Sequence, residues 1–510
     1  MRFDFLIFSL VSAALLAGCG GSDAPAVSSG QGPQSSQTPY LTPIASGVQF
    51  ASILTTGDAV GGYRMAGIPD GLGAYDNADA DGTFTVLMNH ELGNTVGVAR
   101  AHGGVGAFVS EWVINKRSLQ VTSGSDLMKK VYAYNTSTST WTEQTAVAFS
   151  RFCSADLAST GAFFNANTSK GTQARIFLNG EESTVTTNRG MAHVATGVDK
   201  GKSFILPWAG PYTVGGGASW ENLLAHPNSG DKTIVMGTSD GGTNGVYMYV
   251  GAKQTTGNDV EKAGLVGGQL YRISVNNAAS ETTAADAGLG LVSRATSFSL
   301  VSGTNAGATG STFLRPEDGA WDTVNSSRFY FVTTNQMDAA KDGNANSDIT
   351  AGQVGRTRLW SLTFTDITHP ELGGTIEMVL DGTETVTVNG RVHGTQMFDN
   401  ITVASDGTII LLEDVGNNKH NGKVWKYTPA TKALTLLAQH DEVRFGDYAT
   451  GVTGTLTKDE ESSGVIEVTS ILGRNDGKRY YLLVVQNHAP ATGANATELV
   501  EGGQLLLMSN

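Results

Sequence analysis

The sequence predicts an all-β fold, a β-propeller of six blades, and three observations carry that expectation. Glycine supplies 65 of 510 residues, about twice its usual share, while long amphipathic runs of 3.6-residue period are scarce. Six apolar runs of β-favouring residues each finish in polar side chains: "TVLMNHE" at Glu91, "RIFLNGEE" at Glu182, "TIVMGTSD" at Asp240, "FYFVTTNQMD" at Asp338, "IILLED" at Asp414 and "YLLVVQNH" at His488. Two of them share what precedes them: "PEDGAWDTVNSSRFYFVTT" and "FDNITVASDGTIILLED" both read acid, short strand, polar turn, strand, with Asp318 falling over Asp399. Repeated β units about 60 to 100 residues apart suggest propeller blades, and the irregular spacing leaves five or seven blades also compatible.

Along the chain, "MRFDFLIFSLVSAALLAGC" has one Arg, an apolar run and small residues before Cys19. This reads as a signal peptide over residues 1–18, too short to stay as a membrane span. Leu16-Ala17-Gly18-Cys19 resembles a bacterial lipobox, so Cys19 is expected to carry lipid and to anchor the protein outside the cytoplasm, at the outer membrane on its periplasmic or surface face. No twin-arginine pair accompanies Arg2, so export is expected in the unfolded state. Residues 19–40, rich in Gly, Ser, Pro and Gln, read as a disordered tether. Residues 41–510 read as a single propeller domain, expected to be a monomer. With Cys19 expected to carry lipid, Cys153 is the sole free thiol, which excludes an intramolecular disulfide.

Outer strands are expected at "GVYMYVG", "GGQLYRISV", "TRLWSLTF" and "GKVWKYTP", with Tyr271, Trp360 and Trp425 packing between blades. The terminal "GGQLLLMSN" is expected to close the ring by pairing with an N-terminal strand. The formal charge of −14 argues against nucleic acid and anionic headgroups as partners and suits hard cations if the acids converge. Taken as parallel strands lining one channel, the six apolar runs bring their polar ends to one mouth. Converging carboxylates repel and call for cations, calcium first among them. "DGNANSD" at 342–348 resembles part of a calcium loop, with Gln353 where an EF-hand has Glu.

"VLMNHEL", "FLNGEES", "FLRPEDGAWD", "MFDNITVASDGTIILLED" and "LLVVQNHAP" together resemble, in order, the successive motifs of the PhoX-type alkaline phosphatase family, from about residue 50 onward. The resemblance implies a six-bladed propeller whose channel holds calcium and ferric ions and hydrolyses phosphate monoesters. It implies Glu181 and Glu182 as paired acids, Glu317 as a metal ligand, and Asp399, Asn400, Glu413 and Asp414 as residues of a further metal motif. Arg315 falls where the family meets substrate phosphate, and Pro316 is expected to hold it extended.

From the residues themselves, Glu91 joins the ligand candidates, and His90 and His488, at strand ends, are candidates to orient substrate, ligate metal or donate a proton. His193 and His393 are further candidates for the mouth. The family's bridging cysteine is expected before the paired acids, where this chain has Gly180. With Cys153 read as a core residue, calcium rather than iron is the expectation. Two other readings stay open: a calcium-binding surface propeller without catalysis, and a calcium-dependent esterase or lactonase.

Overall fold

Residues 29–183, 188–210, 218–282, 295–303, 310–335, 357–448 and 450–510 are described by the computed structural model. Residues 1–18, expected to be a signal peptide, Cys19, Asp338 and the 342–348 segment lie outside them. Strands dominate, and the helices among the described residues are single turns such as Thr160–Phe163. No helix among these residues is long and apolar enough to cross a membrane.

Six strands form a closed inner ring: Pro69–Asp76, Phe152–Asp156, Ala218–Ala225, Pro316–Trp321, Phe398–Val403 and Glu460–Glu467, each packed on the next and the last on the first. Each starts an antiparallel meander running outward, as in Pro69–Asp76, Thr83–His90, Phe108–Asn115 and Val121–Asp126. The third and fourth meanders join through Ala295–Ser302 into one nine-stranded sheet. The ring closes where Gly502–Ser509 pairs with Gln49–Thr55, as the terminal sequence predicts. The architecture is all-β and propeller-like.

The apolar runs of the sequence are the second strands, one step out from the channel, which corrects their expected place as its lining. Being second makes them apolar on both sides. In Ile409–Glu413, Ile409 and Leu411 pack with Val332 and Trp425, whereas Ile410 and Leu412 pack with Tyr481 and Leu483 of the next meander. Each such residue contributes about 1.5–3 kcal/mol on burial. Trp360 and Trp425 are fully buried between sheets, as expected.

The N-terminal segment also departs from expectation. Gly30–Gln31 pairs in parallel with Ala51 and Ser52, Ser35 Oγ lies 3.0 Å from Thr55 Oγ1, and buried Tyr40 packs edge-on against Phe445. One aromatic anchor and a few well-placed hydrogen bonds order residues 30–40, which their composition marks as tether.

Candidate metal centre

In an antiparallel hairpin the start of one strand lies beside the end of the next. Pro69 pairs with His90, Phe152 with Glu181, Pro316 with Thr333 and Phe398 with Glu413, so every inner strand begins where its second strand ends. One mouth of the ring thus receives two sets of side chains. The second-strand ends bring Glu91, Glu182, Asp240 and Asp414. The inner-strand starts bring Asp70, Cys153, Glu221, Glu317, Asp399 and Glu461. In the first five meanders the pairing register shifts at this start, and such bulges re-aim side chains beside functional sites.

These groups line a narrow cavity of about 30 Å³, nine carboxylates and one thiol against two guanidiniums, Arg151 and Arg315. Three overlapping triads have their ligand atoms within 4.8 Å of one another: Asp70–Glu91–Cys153, Cys153–Glu182–Glu221 and Glu221–Glu317–Asp399. Cys153 and Glu221 are each shared by two triads, so the three positions are contiguous. The Cys153 thiol donates to Glu182 Oε2 at 3.2 Å.

The electrostatics call for cations. Burial first, then neighbouring carboxylates, push Asp70, Glu221, Glu317 and Asp399 well above the usual carboxylate range. The same causes lift Glu182 and Glu461 to about 7 and raise the Cys153 thiol. Glu91 goes the other way: burial opposes it, but Arg151 and His488 hold it below its ordinary value. Buried Asp70 Oδ1 has no hydrogen-bond partner, and Glu317 Oε1, 3.1 Å from Arg315 Nη2, is not aligned for a bond. Hard carboxylate oxygens with free lone pairs and one thiol fit divalent or trivalent cations.

Arg315 grips Asp240 in bidentate fashion, Nε to Oδ1 at 2.9 Å and Nη2 to Oδ2 at 2.8 Å. Its φ of 59° is left-handed, not the extended conformation expected before Pro316. Hydrogen bonds on both sides hold that bend: Leu314 N to the buried Glu281 carboxylate at 2.8 Å, and Thr334 N to Arg315 O at 3.1 Å. His488 stands beside Glu461 and Glu501, at 3.9 and 2.7 Å. Burial would lower its pKa, but those two carboxylates lift it to about 11.

Several sequence candidates are placed elsewhere. His90 is buried behind the mouth, bonded to Gly67 O and Ser110 Oγ and stacked on Phe108. Glu181 is bound by Arg189. Strand alternation turns Glu413 away from the cavity, onto Trp425 Nε1 at 2.8 Å and His420 Nε2 at 2.9 Å, and leaves Asp414 to face it. Asn400 accepts from Gly464 N and joins neighbouring inner strands. His193 is spent on Ser203 and Asn179, and neither it nor His393 lines the cavity.

The repeat is also out by one residue. The hairpin pairings set Glu317, not Asp318, over Asp399. Asp318 instead accepts from Asn222 and Ile401 N, in the inner strands on either side. The thiol sought at position 180 is at Cys153, and a Cβ at Gly180 would fall 2.3 Å from Trp220 Cβ. Asp70, Glu221, Glu461 and Arg151 escaped sequence reading altogether, although extending the correctly registered pair Glu317/Asp399 to the other meanders reaches the inner-strand acids.

A search of curated protein sequences finds no match. Among solved structures, Pseudomonas fluorescens PhoX in complex with vanadate, a transition state analogue, aligns over 96% of this chain and 97% of its own, with a TM-score of 0.56 and 10% identity. A putative 6-phosphogluconolactonase from Bacteroides uniformis aligns over 82% and 94% at 10% identity, but its TM-score of 0.28 carries no argument. The family profile described as Alkaline phosphatase PhoX matches residues 211–487. That span is more than half of the chain and includes Glu221, Asp240, Arg315, Glu317, Asp399, Asp414 and Glu461 of the mouth, so this chain belongs to the PhoX alkaline phosphatase family.

Proposed function

We propose that this protein is a metal-dependent phosphatase acting on phosphate monoesters at the mouth of a six-bladed propeller. The observation that carries the reading is the run of three adjoining ligand triads beside Arg315. The all-oxygen triad Glu221–Glu317–Asp399 suits calcium, and the two triads containing Cys153 suit iron alongside it. Placing a thiol within the cluster removes the ground for preferring calcium alone. Cations held by these triads would supply positive charge to the non-bridging phosphate oxygens and would lower the pKa of a bound water.

The protein's own groups do the rest. Arg315 is held by Asp240 on one edge and leaves Nη1 without a hydrogen bond among the described residues, a donor presented to an incoming phosphate. His488, kept protonated by Glu461 and Glu501, adds fixed positive charge at the rim. The surrounding carboxylates hold the cations and repel anions that bring no cation-binding oxygens.

Lipid anchoring through Cys19 and an extracytoplasmic location belong to this proposal. Its test is elemental analysis of purified protein with assays on a phosphomonoester, a phosphodiester and a lactone, before and after chelation. Monoester hydrolysis lost on chelation and restored by calcium and iron is expected. A metal-loaded protein without monoesterase activity would overturn the reading.

A further inference from the structure

Arg315 has a counterpart. Four inner strands are entered through a residue with left-handed φ, two positions before the side chain they send into the cavity: Ile68 (47°) before Asp70, Arg151 (48°) before Cys153, Arg315 (59°) before Glu317, and Met397 (39°) before Asp399. A non-glycine residue held there is strained, and the repetition marks one backbone device used four times. At two of the four the residue is arginine, and both guanidiniums line the same cavity.

Their contacts match as well. Arg151 bridges two carboxylates, Nε to Glu91 Oε1 at 2.7 Å and Nη2 to Glu182 Oε2 at 2.5 Å, as Arg315 bridges Asp240 and Glu317. Nη1 of neither arginine makes a hydrogen bond among the described residues. The side chains stay 51% and 41% exposed, whereas a guanidinium serving only as counter-ion to buried acids has no reason to keep one edge in solvent.

We propose that Arg151 is a second anion-binding arginine, which with Arg315 grips the dianionic phosphoryl group of a monoester and sets the preference for monoesters over diesters. This rests on the phosphatase reading above. The two guanidiniums enter from either side of the third inner strand, so each can take a different phosphate oxygen.

The test uses full-length, metal-loaded protein as wild type, Arg151→Ala, Arg151→Lys and Arg315→Ala. Orthophosphate binding is measured by calorimetry, bound metal by elemental analysis, and kcat and KM on a monoester and a diester. Arg151→Ala is expected to weaken orthophosphate binding by about 10- to 100-fold, the loss of one charge-assisted hydrogen bond, to raise monoester KM and to narrow the monoester-to-diester ratio at wild-type metal content. Arg151→Lys should recover part of the affinity. Unchanged orthophosphate affinity in Arg151→Ala, or a loss that added metal fully repairs, overturns the inference and leaves Arg151 a counter-ion. If the wild type binds orthophosphate through Arg151 but hydrolyses no ester, the phosphatase reading falls and the anion site stands. If it binds none, both fall.

Discussion

Glu182→Gln should change the sign of its effect on stability according to whether metal is bound. In the metal-free protein burial, then Asp240 and Glu91, raise the Glu182 carboxyl against the pull of Arg151, from 4.5 to about 7. That displacement corresponds to a ceiling of about 3 kcal/mol, at about 1.4 kcal/mol per pH unit, and the true figure is smaller because the cluster shares its protons. A carboxyl raised in the folded state takes up a proton on folding, so its penalty is absent below about pH 4.5, grows as pH rises and is complete above about pH 7. Chelated Glu182→Gln should therefore melt above chelated wild type at pH 8, and the two should converge at pH 4. With metal restored the order should invert, because wild type gains more from binding linkage than a variant lacking one ligand. Calorimetric melts of both proteins at both pH values, with and without chelator, decide the matter. A chelated variant less stable than wild type at pH 8, or a difference indifferent to pH, would refute the reasoning that unscreened charge dominates this mouth.

Arg315→Ala should lower monoester kcat/KM by about a hundredfold, typical for an oriented electrostatic donor, with metal content near wild type, whereas Glu317→Gln should lower both. Steady-state kinetics with elemental analysis separates them, and unchanged kcat/KM in Arg315→Ala removes Arg315 from the site. Cys153→Ser replaces a thiol with a hydroxyl and should cost the iron while retaining calcium, so an unchanged metal composition takes Cys153 out of the ligand set. His90 is buried neutral, with its pKa lowered by burial to about 3. A depressed folded pKa means stability present above pH 6.5 and lost as pH falls towards 3, so the stability advantage of wild type over His90→Gln should shrink across that window in denaturant titrations. Cys19→Ser should abolish lipid labelling in a bacterial host, and labelling that persists would remove the anchor.

What could be read from the sequence followed from burial. "IILLED" and "YLLVVQNH" stand out because each is covered on both faces, and ring closure by "GGQLLLMSN" followed from the same pattern. The inner strands did not stand out, because one face borders the channel. "PDGLGAYD" and "FCSAD" mix glycine, acid and short side chains without period and give no strand signal. The second-strand acids of the site could therefore be found from the pattern, whereas of the inner-strand acids Glu317 and Asp399 came only through the family resemblance and Asp70, Glu221 and Glu461 were missed. Where neighbours compete, one residue of slip reverses the side chain, which is why Glu413 and Asp414 could not be told apart without the ladder. Gly180 misled for a different reason: Trp220 occupies the space a side chain there would need, a constraint invisible in one dimension.

Pairing Gln49–Thr55 with Gly502–Ser509 brings together segments far apart in sequence, so the ring is closed only when both are in place. Asp70 and Glu461 meet across the junction between the sixth and first inner strands, and the cavity draws on residues throughout the intervening sequence. A growing chain, or a fragment cut anywhere within it, therefore holds scattered acids but no assembled cluster. On the proposal that cations bind here, they meet an assembled cluster only once the ring has closed, so the ions available at that step, rather than those met by the separate strands, would set its composition.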